Sequence, residues 1–254
     1  MLYHVKDLHG HTLLATDGEI GTAEDVYFDD ETWVARYLVA DTGGWLAGRR
    51  VLIAAHALGA ADWRAGRLAV ALTRDQIRDS PDIDTDKPIS RQHEAAYHQY
   101  YGYPYYWGGM GMGMGMGMGV PLYPLAMPAT GTPQGEDEPQ EAGDAHLRSV
   151  NAVTGHTIRA LDGAIGHVGG FLLDDADWAI RWMVVDTGTW LTGGRQVLVS
   201  PAWITAVRWE RGEVAADLRR ETIARSPEFD PTKTVDRGYE TGLYGHYDRP
   251  GYWR

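Results

Sequence analysis

The sequence predicts an all-β chain: two small six-stranded antiparallel barrels in tandem, each with a short helix and an aromatic tail. Three observations carry this. The chain repeats itself: at an offset of 145, residues 10–50 match residues 155–195 at 20 of 41 positions. Past a one-residue insertion expected near Gln196 the offset becomes 146, and Trp63, Gly66, Leu72, Ile77 and Ser80-Pro81 recur as Trp209, Gly212, Leu218, Ile223 and Ser226-Pro227. A two-fold repeat of this length is a duplicated domain rather than a solenoid, which needs several short units. Second, residues alternate with the period of a strand, as in Val34, Arg36, Leu38 and Ala40 against Ala35, Tyr37, Val39 and Asp41. Third, turn residues punctuate the chain at short intervals.

The elements follow in order. Residues 12–16 read as a strand and Asp17-Gly18 as a tight turn, because glycine accepts the positive φ that such hairpins need. Residues 20–28 form the second strand and Asp29-Asp30 heads the next loop. Residues 33–40 form the third strand, 42–48 a Gly-rich turn and 50–53 the fourth strand. Residues 58–63 and 67–72 make a last hairpin about Ala65-Gly66. Residues 73–79 suit a short helix capped by Thr73 and closed by Pro81, since the residue before proline avoids the α region. Closure into a barrel would remove the exposed edges of so small a sheet.

The repeat continues beyond the barrels. Arg91, Glu94, Tyr101, Pro104 and Tyr106-Trp107 recur as Arg237, Glu240, Tyr247, Pro250 and Tyr252-Trp253. A tail that keeps its aromatic register is expected to dock on a barrel. The domains are therefore residues 1–89, a first barrel; 90–107, its tail; 108–145, a linker; 146–235, a second barrel; and 236–254, the C-terminal tail. The linker opens with alternating Gly and Met, which cannot hold a helix or strand cheaply. It then turns acidic and Pro-containing, the composition of a solvated connector.

Ten Trp and fourteen Tyr against three Phe favour half-buried and interface positions, where an apolar ring carries a polar handle. The net charge of -12 argues against direct nucleic-acid binding, which needs clustered Lys and Arg, and favours a basic or neutral partner. With no cysteine, disulfides and thiolate chemistry are excluded. The start lacks an apolar leader and no run is long enough to span a bilayer, so a cytoplasmic location is expected. Peripheral membrane association stays open.

The stretch DTGGWLAGRRVLI, the closing LTRDQIRDSPDID and the upstream Ile20-Gly21 resemble the PRC-barrel family. The second copy gives DTGTWLTGGRQVLV and LRRETIARSPEFD, and the resemblance covers residues 2–87 and 147–233. Such barrels occur in the cytoplasmic part of the photosynthetic reaction centre H subunit, in the C-terminal domain of the ribosome maturation factor, and as stand-alone bacterial proteins. The chain shows neither the H subunit's membrane helix nor the maturation factor's separate N-terminal domain, so neither activity is expected of it. The resemblance implies a protein-interaction barrel with no catalytic centre of its own and no cofactor.

The candidate chemistry is sparse. Asp29/Asp30 and Asp174/Asp175 could form carboxylate dyads, but at a strand end Asp more often bonds its own backbone in a turn. Asp41 with Arg50, and Asp186 with Arg195, are expected to pair across the hairpin as structural ion pairs. Trp45 and Trp190 in the turn are contacts for a partner or caps on the core. The tail residues Tyr106, Trp107, Tyr252 and Trp253 are further partner contacts. The ten His lack the three-ligand spacing of a catalytic metal site, and no metal is expected. Met110, Met112, Met114, Met116 and Met118 offer soft thioethers of the kind that select Cu(I), or an adaptable apolar surface. The sequence therefore reads as a non-enzymatic assembly module that binds protein. Its two barrels are expected to pair with each other or with a second copy. The alternative is a small-ligand or Cu(I) binder using the Met-Gly tract or a pocket between barrels.

Overall fold

A computed structural model describes residues 1–81, 89, 91–106, 146–188 and 194–253. Asp17 and Gly18 turn the chain between β2 (Thr12–Ala15) and β3 (Gly18–Asp29), and Asp17 Oδ1 also accepts the Arg74 amide at 2.8 Å. That bond ties the hairpin tip to the start of α1 (Arg74–Arg78), which Thr73 and Gln76 cap reciprocally. β1 (Leu2–His4) precedes these strands. β4 (Val34–Asp41), β5 (Arg50–Ala54), β6 (Leu58–Asp62) and β7 (Arg67–Val70) complete the strands of the first half, and α2 (Arg91–Tyr101) follows.

The second half repeats the order. It runs β8 (Leu147–Ser149), one turn of α3 (Val150–Val153), β9 (Thr157–Ala160), β10 (Gly163–Asp174), β11 (Ile180–Asp186) and β12 (Gln196–Val199). β13 (Ile204–Arg208), β14 (Glu213–Ala216), α4 (Arg220–Ala224) and α5 (Arg237–His246) follow. Asp162 repeats the tie of Asp17 by accepting the Arg220 amide at 2.8 Å.

Each half supplies six consecutive strands of a seven-stranded mixed sheet, ordered β5-β4-β3-β2-β7-β6 in the first and β12-β11-β10-β9-β14-β13 in the second. The expected closed, all-antiparallel barrel is corrected in two respects. β2 and β7 pair in parallel, as do β9 and β14. Among the described residues no ladder joins β5 to β6. The cause is the 3-10 corner Ala55–Ala57, which bends the chain without reversing it, so β6 runs on in the sense of β5 and β7 comes back parallel to β2. That corner carries no Gly or Pro for a sequence reading to find.

The seventh strand of each sheet comes from the other half. β1 pairs with β10 in the register Leu2↔Asp174, Tyr3↔Leu173 and His4↔Leu172. β8 pairs with β3 as Leu147↔Asp29, Arg148↔Phe28 and Ser149↔Tyr27, the same register one repeat apart. Between them Val34 faces Ala179 in an isolated antiparallel bridge, flanked by Ala35 N–H to Trp178 O and Ile180 N–H to Trp33 O, both 2.8 Å. Trp33 and Trp178 hold positive φ of 56° and 58° to make this contact. A bulky non-glycine residue in that region is strained, and both copies keep the strain where the halves meet.

One apolar core runs through both sheets, from Leu13, Ile20, Leu38 and Ile53 to Phe171, Val184 and Leu198. The Phe28 and Phe171 rings meet across the halves at 5.6 Å, and both are fully buried. Side chains of that size contribute about 1.5–3 kcal/mol each on burial.

Candidate functional site

The tails dock as expected, and they do so as helices. In α2 the residues Glu94, Tyr97, His98 and Tyr101 lie at spacing i, i+3, i+4, i+7, the apolar face of a helix. Glu240, Leu243, Tyr244 and Tyr247 repeat it in α5, which Asp236 caps through the Tyr239 amide. Each helix covers the outer face of its own sheet. Tyr97 and Ile89 join Tyr27, Tyr37, Val39, Leu52 and Ala54 in a second, smaller core.

A buried carboxylate anchors each tail. Glu94 Oε1 accepts Tyr37 Oη–H at 2.9 Å and Tyr106 Oη–H at 2.5 Å. Glu240 accepts Trp182 Nε1–H at 3.0 Å and Tyr252 Oη–H at 3.1 Å, and Arg237 pairs with it at 3.2 Å. Glu94 is 0% exposed and Glu240 3%, so these contacts replace the hydration that each carboxylate has lost. The Tyr37 hydroxyl also lies 2.9 Å from His98 Nε2, and His98 Nδ1 lies 2.9 Å from Pro104 O. A carbonyl only accepts, so Nδ1 carries a proton toward Pro104. Burial, then the Glu94 charge, pushes the Tyr37 hydroxyl far above its ordinary pKa, so it stays a donor. Tyr97 Oη accepts the Ala54 amide at 2.9 Å and donates to Leu52 O at 3.1 Å. In the second half Tyr247 donates to the equivalent carbonyl, Leu198 O, at 3.0 Å.

Beside the first tail opens a cleft of about 580 Å³, lined by Arg36, Tyr37, His56, Tyr103, Tyr105 and Trp178 among others. His56 meets the Tyr103 ring edge-on at 4.0 Å, and the Arg36 guanidinium lies 4.2 Å above the Tyr106 ring. Burial lowers the His56 pKa, leaving the imidazole neutral at neutral pH. Tyr105 is 50% exposed at the mouth. The cleft thus offers aromatic faces, one stacked cation and an imidazole.

Of the residues singled out from sequence, Tyr106 lies at this cleft. Tyr252 and Trp253 lie at the second tail, with Arg237 4.1 Å above the Trp253 ring and Arg181 4.3 Å above Tyr252. Trp45 stands apart in the 3-10 turn Gly43–Leu46, half-buried under the Arg74 guanidinium at 4.6 Å. Trp107, Trp190 and the tract Met110, Met112, Met114, Met116 and Met118 lie outside the described residues.

The hairpin arginines pair elsewhere than expected. Asp41 and Arg50 are ladder partners, but Arg50 bonds Glu24 at 2.5 Å while Asp41 accepts the Gly43 amide at 2.8 Å. Asp186 accepts the Gly188 amide at 3.0 Å, and Arg195 pairs with Glu228 at 3.5 Å. Each aspartate thus accepts a backbone amide of its own turn, while its expected arginine reaches a glutamate. The repeat register also shifts: Arg195 bonds Ser226 O as Arg49 bonds Ser80 O, and Thr187 holds Arg195 O as Thr42 holds Arg49 O. Arg195 is therefore the counterpart of Arg49, and the insertion precedes it instead of lying at Gln196.

Asp29 behaves as a turn residue. Its Oδ1 accepts the Glu31 and Thr32 amides at 3.0 and 2.9 Å, and its Oδ2 meets Arg36 at 3.3 Å. Burial acts to raise its pKa, but the Thr32 amide and Arg36 outweigh it and leave the net shift downward. Asp30 reaches across to Arg148 and His146, both at 3.1 Å. Among the described residues no three His, Asp or Glu converge as metal ligands.

The cleft and tail residues that sequence reasoning missed are Tyr37, His56, Glu94, His98, Tyr103 and Tyr105. The helical spacing of residues 94, 97, 98 and 101 would have found part of the set. The rest are brought together by tertiary contacts alone.

The PRC-barrel domain family model matches residues 2–74, which end inside α1 and leave out the tail helix. An uncharacterized protein of Deinococcus radiodurans is 32% identical over 94 residues, 32% of this chain and 34% of that protein. The chain thus spans about a third of the length of the relative it matches. β1–β7 and the DTGGWL turn lie inside the matched segment, which ends at the first residue of α1, so residues 2–74 of this chain match the PRC-barrel domain.

Proposed function

We propose that the chain is a non-enzymatic protein-interaction module. Two PRC-type barrels, within residues 1–89 and 146–235, pair within one chain and present a partner-binding surface at the aromatic tails. The observation that carries this is the cleft beside Tyr103–Tyr106, where rings and a stacked arginine stand open at the mouth. Rigid aromatic groups with a cation among them are what interface anchors are made of. The net charge of -12 favours a basic or neutral partner segment. No helix among the described residues is long and apolar enough to cross a membrane, and a cytoplasmic site of action is part of the reading.

The test is photo-crosslinking in the cell of origin, with a benzophenone side chain at position 105 and a control at Leu161, which is 67% exposed and outside the cleft. A defined protein adduct at 105, absent at 161 and lost on His56→Ala/Tyr103→Ala, is the expected outcome. Equal labelling at both positions, or none at 105, removes the reading.

A small-ligand function is the second reading. It is favoured by a cavity of about 220 Å³ between the halves, lined by His4, His9, Glu24, Asp25, Asn151 and Phe171. Extraction of the native protein and mass spectrometry of what it releases would identify such a ligand. Calorimetry with Cu(I), with and without residues 108–119, tests the methionine tract.

A further inference from the structure

The exchange of β1 and β8 is symmetric in backbone but not in side chains. His4 and Ser149 hold the same place in the repeat, at the ends of the exchanged strands. Each caps the turn that follows it: His4 Nδ1 accepts the Lys6 amide at 3.3 Å and Ser149 Oγ the Ala152 amide at 3.1 Å. Across from them stand Gly170 and Asp25, again one repeat apart. A Cβ on Gly170 would lie 2.3 Å from His4 Cε1 and 2.9 Å from Nε2, so the imidazole occupies the space a side chain would need. On the other side, Ser149 Oγ donates to Asp25 Oδ2 at 2.5 Å, and the Asn151 amide reaches Asp25 Oδ1 at 3.3 Å. One contact sets a large ring against a bare backbone. The other sets a small hydroxyl against an acid.

We infer that these four residues form a pairing code, which admits the first half onto the second and excludes like onto like. If two first halves met across the same axis, His4 would be driven into the side chain of Asp25. If two second halves met, Ser149 would face Gly170, with no acceptor for its hydroxyl and a void the size of an imidazole. Only the mixed pair satisfies both contacts. The surface around the exchange therefore fits one partner, the complementary half of this chain. Specificity of this kind needs both a favourable match and a penalty on the alternatives. The code is independent of the tail cleft and of whatever binds there.

The chain contains no cysteine, so single engineered thiols report cleanly. Val34 and Ala179 face each other on the axis, in the ladder geometry that brings Cα atoms to about 4.5 Å and suits a disulfide. In the full chain, V34C/A179C should close an intrachain disulfide. V34C alone should stay monomeric on non-reducing gels, because a 34–34 bond requires two first halves to pair. Adding S149H, which forces a ring onto Asp25, should slow closure of V34C/A179C by at least about tenfold, the scale of a forced steric clash. Adding D25G to S149H recreates the His–Gly contact of the other side and should restore closure. Rapid interchain bonding by V34C alone overturns the inference. So does unchanged closure with S149H, and so does failure of D25G to rescue it.

Discussion

Gly21 and Gly166 occupy the same place in β3 and β10, where the strand crosses under the start of the Asp-Thr-Gly turn. A Cβ on Gly21 would lie 1.9 Å from Asp41 O and 2.8 Å from Thr42 Cα; on Gly166, 2.0 Å from Asp186 O and 2.8 Å from Thr187 Cα. The obstacle is backbone in both cases, so no rotamer change relieves it. Ordinary contact needs more than 3.4 Å, so the ladder must open by over an ångström. Overpacking on that scale costs about 3 kcal/mol. Gly21 also holds φ +129°, a further ~1–2 kcal/mol for alanine, whereas Gly166 carries no such strain. Gly43 isolates the second effect: its φ is +52° and nothing lies within 4 Å of its Cβ position. Denaturant unfolding of the three alanine variants should therefore rank Gly21→Ala as worst at about 4–5 kcal/mol, Gly166→Ala next at about 3, and Gly43→Ala at about 1. If Gly166→Ala is no worse than Gly43→Ala, close backbone approach is not why these glycines are needed.

Other consequences can be measured directly. Tyr97→Phe removes the partner of the Ala54 amide and should cost about 1–3 kcal/mol, with faster hydrogen exchange at Ala54 marking the site. Trp182→Phe takes one donor from Glu240 but leaves Tyr252 and Arg237, so about 1 kcal/mol is expected in thermal unfolding. His4 is held down to about 4, chiefly by burial and then by Lys6. The unfolded imidazole, near 6.5, therefore binds the extra proton between pH 6.5 and 4. Its contribution to stability is complete above about pH 6.5 and fades toward pH 4, a change of about 2 kcal/mol after allowance for partial hydration. His4→Gln should flatten that part of the stability–pH curve.

Much of the fold could be read from the sequence, because its signals are local. The Asp17-Gly18 turn, the alternation through residues 34–41 and the Thr73 cap each act within a few residues, and each element lies within two residues of its expected bounds at either end. The corner Ala55–Ala57 was not legible, and with it went the parallel pairing of β2 and β7. Nor was the exchange of β1 and β8, since three-residue strands carry no periodicity and their partners lie in the other half. The tails were legible as docking segments from their repeated aromatics. The cleft was not, because Arg36, His56, Tyr105 and Trp178 are drawn from four separate segments and converge only in the folded chain.

The exchanged strands also set an order of events during synthesis. The first half emerges with the rim of β3 near Tyr27–Asp29 uncovered, and it stays so until residues 147–149 have been made. An uncovered strand edge invites pairing with whatever else is unfolded nearby. Through that interval the nascent chain holds a sheet it cannot finish from its own residues. The step that completes the first half is thus the same step that begins the second.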